Sequence, residues 1–122
     1  MGFASPAMDY IESSISLDRQ LIQNPTATYF MRADATYLRA GIISGALLVV
    51  DAAAIACDGS IIVCAIAGEH VLRRLRLHPK RGVESLDGDR FENLAEDADF
   101  FGVITYIIND ARSGEFVEMT AL

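Results

Sequence analysis

Apolar residues in this chain fall into short blocks divided by glycine, proline or polar pairs, the spacing of strands rather than of long helices. Blocks at residues 26–32, 47–51, 60–66, 70–77, 82–86 and 101–108 each have the length of a strand, and most are rich in β-branched residues or leucine. Asp58-Gly59 and Ala67-Gly68 stand on either side of block 60–66, which predicts a hairpin whose second arm begins at His70. The last block is apolar on both faces apart from Thr105, so it is expected either as a central strand or as part of an interface. One helical pattern precedes the strands. Ser16 caps it, Leu17, Leu21 and Ile22 share a face, and Asn24-Pro25 ends it because proline disfavours helix at the residue before it. Residues 1–15 show little periodicity and read as an arm. Asp87-Gly88-Asp89-Arg90 and residues 92–99 read as an acidic loop with a helical turn over 91–95.

A chain of 122 residues fits one domain and can bury roughly two thirds of the surface of its unfolded form, so it needs neither metal nor disulfide to fold. No apolar run approaches the ~20 residues of a membrane span, and Met1-Gly2-Phe3-Ala4 lacks the basic start of a signal peptide, so a soluble, cytoplasmic protein is expected. With 17 acidic against 10 basic side chains the net charge is −7, which disfavours direct nucleic-acid binding. Arg73, Arg74, Arg76, His78, Lys80 and Arg81 form a local basic ridge, read first as a solvated strand edge. Cys57 and Cys64 match no zinc or redox spacing and are expected as reduced packing residues. His70 and His78 have no ligand-spaced neighbour, so no metal or other cofactor is implied. Tyr29, Phe30, Phe101 and Tyr106 are expected to pack in the core or an interface, and Asp51 to serve a turn.

Gly68-Glu69-His70-Val71-Leu72-Arg73-Arg74-Leu75-Arg76-Leu77 resembles the strand that carries the general-base lysine in the UmuD/LexA family of self-cleaving Ser/Lys proteases. The lysine position holds Arg73. Gly2-Phe3-Ala4-Ser5-Pro6-Ala7 resembles the amino terminus those proteins expose after cutting themselves. Ser16-Leu17-Asp18, Gln23-Asn24-Pro25-Thr26-Ala27-Thr28-Tyr29-Phe30, Ala40-Gly41-Ile42, Leu47-Leu48-Val49-Val50-Asp51 and Phe101-Gly102-Val103-Ile104-Thr105 continue the likeness in order, over most of residues 2–112. The resemblance implies a mostly β fold of several short curled sheets, with an N-terminal arm and short helix at 1–25, the peptidase-fold domain at 26–112 and a tail at 113–122. It also implies a homodimer that serves a UmuC-like Y-family DNA polymerase in translesion synthesis during the SOS response. RecA filaments and a full-length UmuD-like protein are further partners that it implies.

The family's nucleophile turn, Ser-Gly-Asp-Ser-Met, aligns with Ala33-Asp34-Ala35-Thr36-Tyr37, which puts Thr36 at the nucleophile position. A threonine hydroxyl needs a base to take its proton. Lysine can be driven toward neutrality by desolvation and then accept that proton, but the guanidinium of Arg73 stays charged above about pH 12. Two aspartates common in the family are replaced by Ala46 and Ser60. With no residues upstream of the family's cleavage bond, the chain is also expected to have nothing of its own to cut. The leading expectation is therefore a non-catalytic subunit in the already activated form. One alternative is a peptidase acting in trans with Thr36 as nucleophile and Lys80, the only lysine, as base. Another is a mobile-element module that competes for host SOS proteins through mixed dimers. No helix-turn-helix precedes Thr26, which argues against a repressor acting alone. Arg73 is expected to pair with Glu69 or Asp34.

Overall fold

A computed structural model describes residues 14–88, 90–94 and 100–112. The predicted arm, apart from its last two residues, and the tail at 113–122 lie outside the described residues. Helix α1 (Leu17–Leu21) is followed by strands β1 (Thr28–Arg32), β2 (Leu47–Asp51), β3 (Ile61–Ile66), β4 (Glu69–Arg76), β5 (Gly82–Glu84), β6 (Phe91–Asn93) and β7 (Phe100–Ile108). The mostly β architecture is present as a seven-stranded antiparallel sheet in the order β1-β2-β7-β3-β4-β5-β6. No helix is long and apolar enough to cross a membrane.

Local chemistry explains the elements. Ser16 accepts a hydrogen bond from the Arg19 amide, and the helix ends before Asn24-Pro25, which opens a 3-10 turn over Pro25–Ala27. That turn delays β1 by two residues against the expected start at 26. The β3–β4 hairpin closes on Ala67 and Gly68, whose φ values of 53° and 82° are the left-handed pair that matches strand twist. Alanine there costs about 1–2 kcal/mol, whereas glycine adopts it freely. The resulting register runs from Ile66↔Glu69 to Ile61↔Arg74.

Alternation along β3 supplies two cores at once. Ile61 and Val63 join Leu48, Val50, Leu72, Ile42 and Leu86, while Ile62 and Cys64 join Leu75, Val83 and Val103. Ile42, Leu48, Ile62 and Leu75 are among the largest fully buried side chains, each worth about 1.5–3 kcal/mol relative to exposure.

The apolar last strand is central. β7 pairs with β2 from Val103 to Ile108 and with β3 from Phe100 to Val103. Only Val103 is paired on both sides, with β3 taking the N-terminal part of the strand and β2 the C-terminal part, so no edge of β7 is free along its whole length. The sheet's edges are β1 and β6 instead.

Three further expectations are corrected. Residues 91–93 form an edge strand on β5, not a helical turn, because Gly82 leaves space that the Phe91 ring fills and the β5 edge offers unpaired backbone groups. Cys57 is exposed in a turn and only Cys64 packs inside. Phe30 and Phe101 are 52% and 46% exposed, so of the two places expected for them, core or interface, the core is excluded; the Phe101 ring packs at the surface against Tyr29 and His70. Tyr29 does pack against the first core, and its hydroxyl donates to the Phe101 carbonyl at 2.7 Å. Asp51 serves the turn as expected: it is buried and accepts from the Asn24 side chain and the Ala53 amide, each at 2.8 Å.

Candidate functional site

The segment between β1 and β2 is a tight loop. The Ala33 amide donates to the Ala46 carbonyl, the Gly45 amide donates back to Ala33, and Tyr37 and Ile42 exchange backbone bonds across the narrowing. Gly41, at φ 73°, ends the 3-10 turn Leu38–Ala40 in the left-handed region. Asn109, just beyond β7, pins the loop from outside. Its Oδ1 accepts from the Ile43 amide at 3.0 Å and its Nδ2 donates to the Gly41 carbonyl at 2.9 Å.

Tyr37 reaches from this loop into a cleft of about 330 Å³ lined also by Arg73, Ser85, Leu86, Asp87 and Arg90. The β5–β6 turn supplies most of the wall. The Ser85 amide donates to the Arg90 carbonyl, the Arg90 amide donates to Ser85 Oγ at 3.1 Å, and Gly88 turns at φ 82° with its amide on the Ser85 carbonyl. The Tyr37 hydroxyl donates to Asp34 Oδ1 at 3.0 Å. Its phenol is pushed above the usual 10.0, first by burial, then by the hydrogen bond to Asp34 and the charges of Asp34 and Asp87, against a lowering by Arg73. At neutral pH it is a proton donor.

Arg73 lines this cleft, but its Nη1 donates to the Leu72 carbonyl at 2.8 Å. The ion pair expected with Glu69 or Asp34 is absent. Asp34 takes the Tyr37 hydroxyl, and Glu69 lies about 13 Å away along the same strand at ~3.3 Å per residue. Arg73 still acts at a distance, lowering both Tyr37 and the Cys64 thiol, which burial otherwise raises. Thr36 sits next to Tyr37 but is not among the lining side chains. It is exposed, and its Oγ1 accepts from the Ser44 amide at 3.0 Å. Lys80 is exposed and lines a different cleft with Arg76, His78, Pro79, Glu84 and Phe91. Among the described residues no three His, Cys, Asp or Glu side chains converge as a metal site would require.

Within the basic ridge Arg76 is matched to acids and Arg74 is tied to the backbone. Arg76 Nε bonds Glu84 at 2.8 Å and its Nη1 lies 3.7 Å from Asp58, while Arg74 donates to the Gly59 carbonyl at 2.9 Å. Tyr37, Ser85, Asp87, Arg90 and Asn109 were not singled out by sequence reasoning. The Asp87-Gly88 turn signal was visible, but nothing local showed that it would face Tyr37.

The cleft thus brings Tyr37, from the segment after β1, together with Arg73 of β4, and comparison with known proteins gives the family. Residues 1–90 match the profile described as Peptidase S24-like. Protein ImpA of Salmonella typhimurium is 40% identical over 114 residues, 91% of this chain and 79% of that protein. Protein SamA of Salmonella typhimurium strain LT2 is 35% identical over 113 residues, covering 92% and 81%. Protein MucA of Escherichia coli is 33% identical over 110 residues, covering 86% and 75%. The chain belongs to the peptidase S24-like family, as a UmuD-like member.

Proposed function

We propose that this protein is a non-catalytic, UmuD-like accessory subunit that acts as a homodimer with a UmuC-like, error-prone Y-family DNA polymerase in the cytoplasmic SOS response to DNA damage. In this reading Thr36 and Arg73 occupy the family's nucleophile and base positions without performing their chemistry. The single observation that carries it is Arg73 in the cleft. A guanidinium holds its proton at any physiological pH, and the phenol beside it is itself protonated, so neither can take a proton from Thr36. The exposed Thr36 hydroxyl, bonded to a backbone amide rather than to a base, supports the same reading. A peptidase using Lys80 would need that side chain beside Thr36, whereas it lines the other cleft.

The test has two parts. The protein is expected to co-purify with a Y-family polymerase from its own host and to leave a full-length UmuD-like protein intact at pH 7 to 10. Cleavage that disappears in Thr36→Ala would overturn the non-catalytic reading, and a monomer without affinity for the polymerase would overturn the accessory reading.

A further inference from the structure

Resting on the reading of the Tyr37–Arg73 cleft as a former cutting site, we infer that this cleft now binds a polypeptide through a carboxylate, an acidic side chain or a chain terminus, held by Arg73 and Arg90.

The lining carries two guanidiniums against one carboxylate, Asp87, with Tyr37 and Ser85 as neutral hydroxyl groups. A third guanidinium, Arg39, lies against Gly88 on the rim. Among the described residues none of Arg39, Arg73 and Arg90 makes an ion pair, while Arg76 and Arg112 are each matched to an acid. On a protein of net charge −7, three guanidiniums without an ion pair around one concavity, against Asp87 in the lining and Asp34 on the Tyr37 hydroxyl, form a local field that favours an anion. Arginine suits that task because its planar fork meets both oxygens of a carboxylate, and among the described residues Arg73 commits one donor, to the Leu72 carbonyl. A lysine made neutral for catalysis would not hold an anion. The substitution that removes the base therefore creates the receptor.

The surroundings favour a polypeptide over a free inorganic ion. Leu86 lines the cleft, and Leu38, next to Tyr37 and Arg39, is 82% exposed. The exposed surface of Leu38 gives the residues flanking a carboxylate something to cover, and a volume of about 330 Å³ accommodates a side chain rather than a folded domain.

Isotope-labelled protein titrated with a short capped peptide carrying three glutamates is expected to show amide shifts at Tyr37, Ser85 and Arg90. The matching peptide with three glutamines should produce none. Affinity should fall about tenfold or more in Arg73→Gln and in Arg90→Gln, as loss of a charge-assisted hydrogen bond requires, and should fall with added salt. Arg112→Gln, outside the cleft, should leave it unchanged. Equal response to both peptides, indifference to Arg73→Gln and Arg90→Gln in folded protein, or shifts with inorganic phosphate but neither peptide would each overturn the inference. Capture of the polymerase together with a silent titration would remove this inference while leaving the accessory reading in place.

Discussion

The central strands β2, β3 and β7 and the cleft rim formed by residues 33–46, 85–88 and 90 differ in what holds them. The strands are held by apolar burial on both faces, with Leu48, Val49, Val50, Ile62 and Val63 fully enclosed. The rim is anchored in the first core at Ile42, Ala46 and Leu86, and its polar part is held by single hydrogen bonds, such as Asn109 to the loop backbone and Ser85 to Arg90. Core side chains are constrained by close packing, so a change in volume is felt at once. The polar side chains of the rim are constrained only at a few atoms, which allows charge to be exchanged there without loss of the fold. Arg73 stands at the junction, on β4 with its head group at the cleft, so in the proposed reading the chemistry at that position changes while the scaffold persists.

The contrast can be broken most directly in the core. Leu48→Ala or Ile62→Ala is expected to cost about 2–5 kcal/mol in urea unfolding, because each leaves a cavity in a fully buried site. A loss below 1 kcal/mol would show that the two clusters collapse more easily than their burial suggests. Gly102→Ala should cost about 1–3 kcal/mol, since a Cβ there would stand 2.6 Å from Val50 Cγ1 on the neighbouring central strand. On the rim, Arg90→Gln is expected to change stability by no more than about 0.5 kcal/mol, because the exposed guanidinium makes no ion pair among the described residues.

Two smaller effects depend on pH. The Leu77 amide, and after it the His78 amide and the charges of Arg76 and His78, hold the Asp58 carboxyl below its ordinary 3.8. A depressed carboxyl contributes stability above its unfolded value and loses it as pH falls through the folded one. The deficit of Asp58→Asn against the parent should therefore be constant near neutrality and shrink as pH drops below 3.8. Tyr37 has the opposite sign. Its contribution is complete below 10.0, where the phenol is protonated folded or unfolded, and is lost as pH rises through the higher folded value. Phenolate absorbance should show one tyrosine ionising above 10.0 in the parent, absent in Tyr37→Phe.

Much of the fold was legible because strand length, glycine turns and alternation are local signals. The expected blocks 47–51, 60–66, 70–77 and 101–108 fall within a residue of β2, β3, β4 and β7 at either end, and Ala67-Gly68 did mark the hairpin. Residues 91–93 were misread because a short acidic stretch has no strong intrinsic preference. Its strand form comes from the β5 edge and the hollow above Gly82, both of which are tertiary. Of the site, the turn at Thr36 and the strand at Arg73 were legible as a resemblance, whereas the hold of Asn109 and the facing wall at Ser85 to Arg90 were not.

The amino-acid order alone determined that position 73 carries a group unable to surrender its proton, because a guanidinium's basicity exceeds anything an environment at physiological pH can overcome. It likewise determined which stretches extend and which turn. Only the tertiary structure decided that the last strand lies between β2 and β3, and that side chains from residues 37, 73, 85 and 90 meet in one cleft. Periodicity encodes which way a strand's side chains point, but which distant strand it pairs with depends on packing both faces of the sheet together.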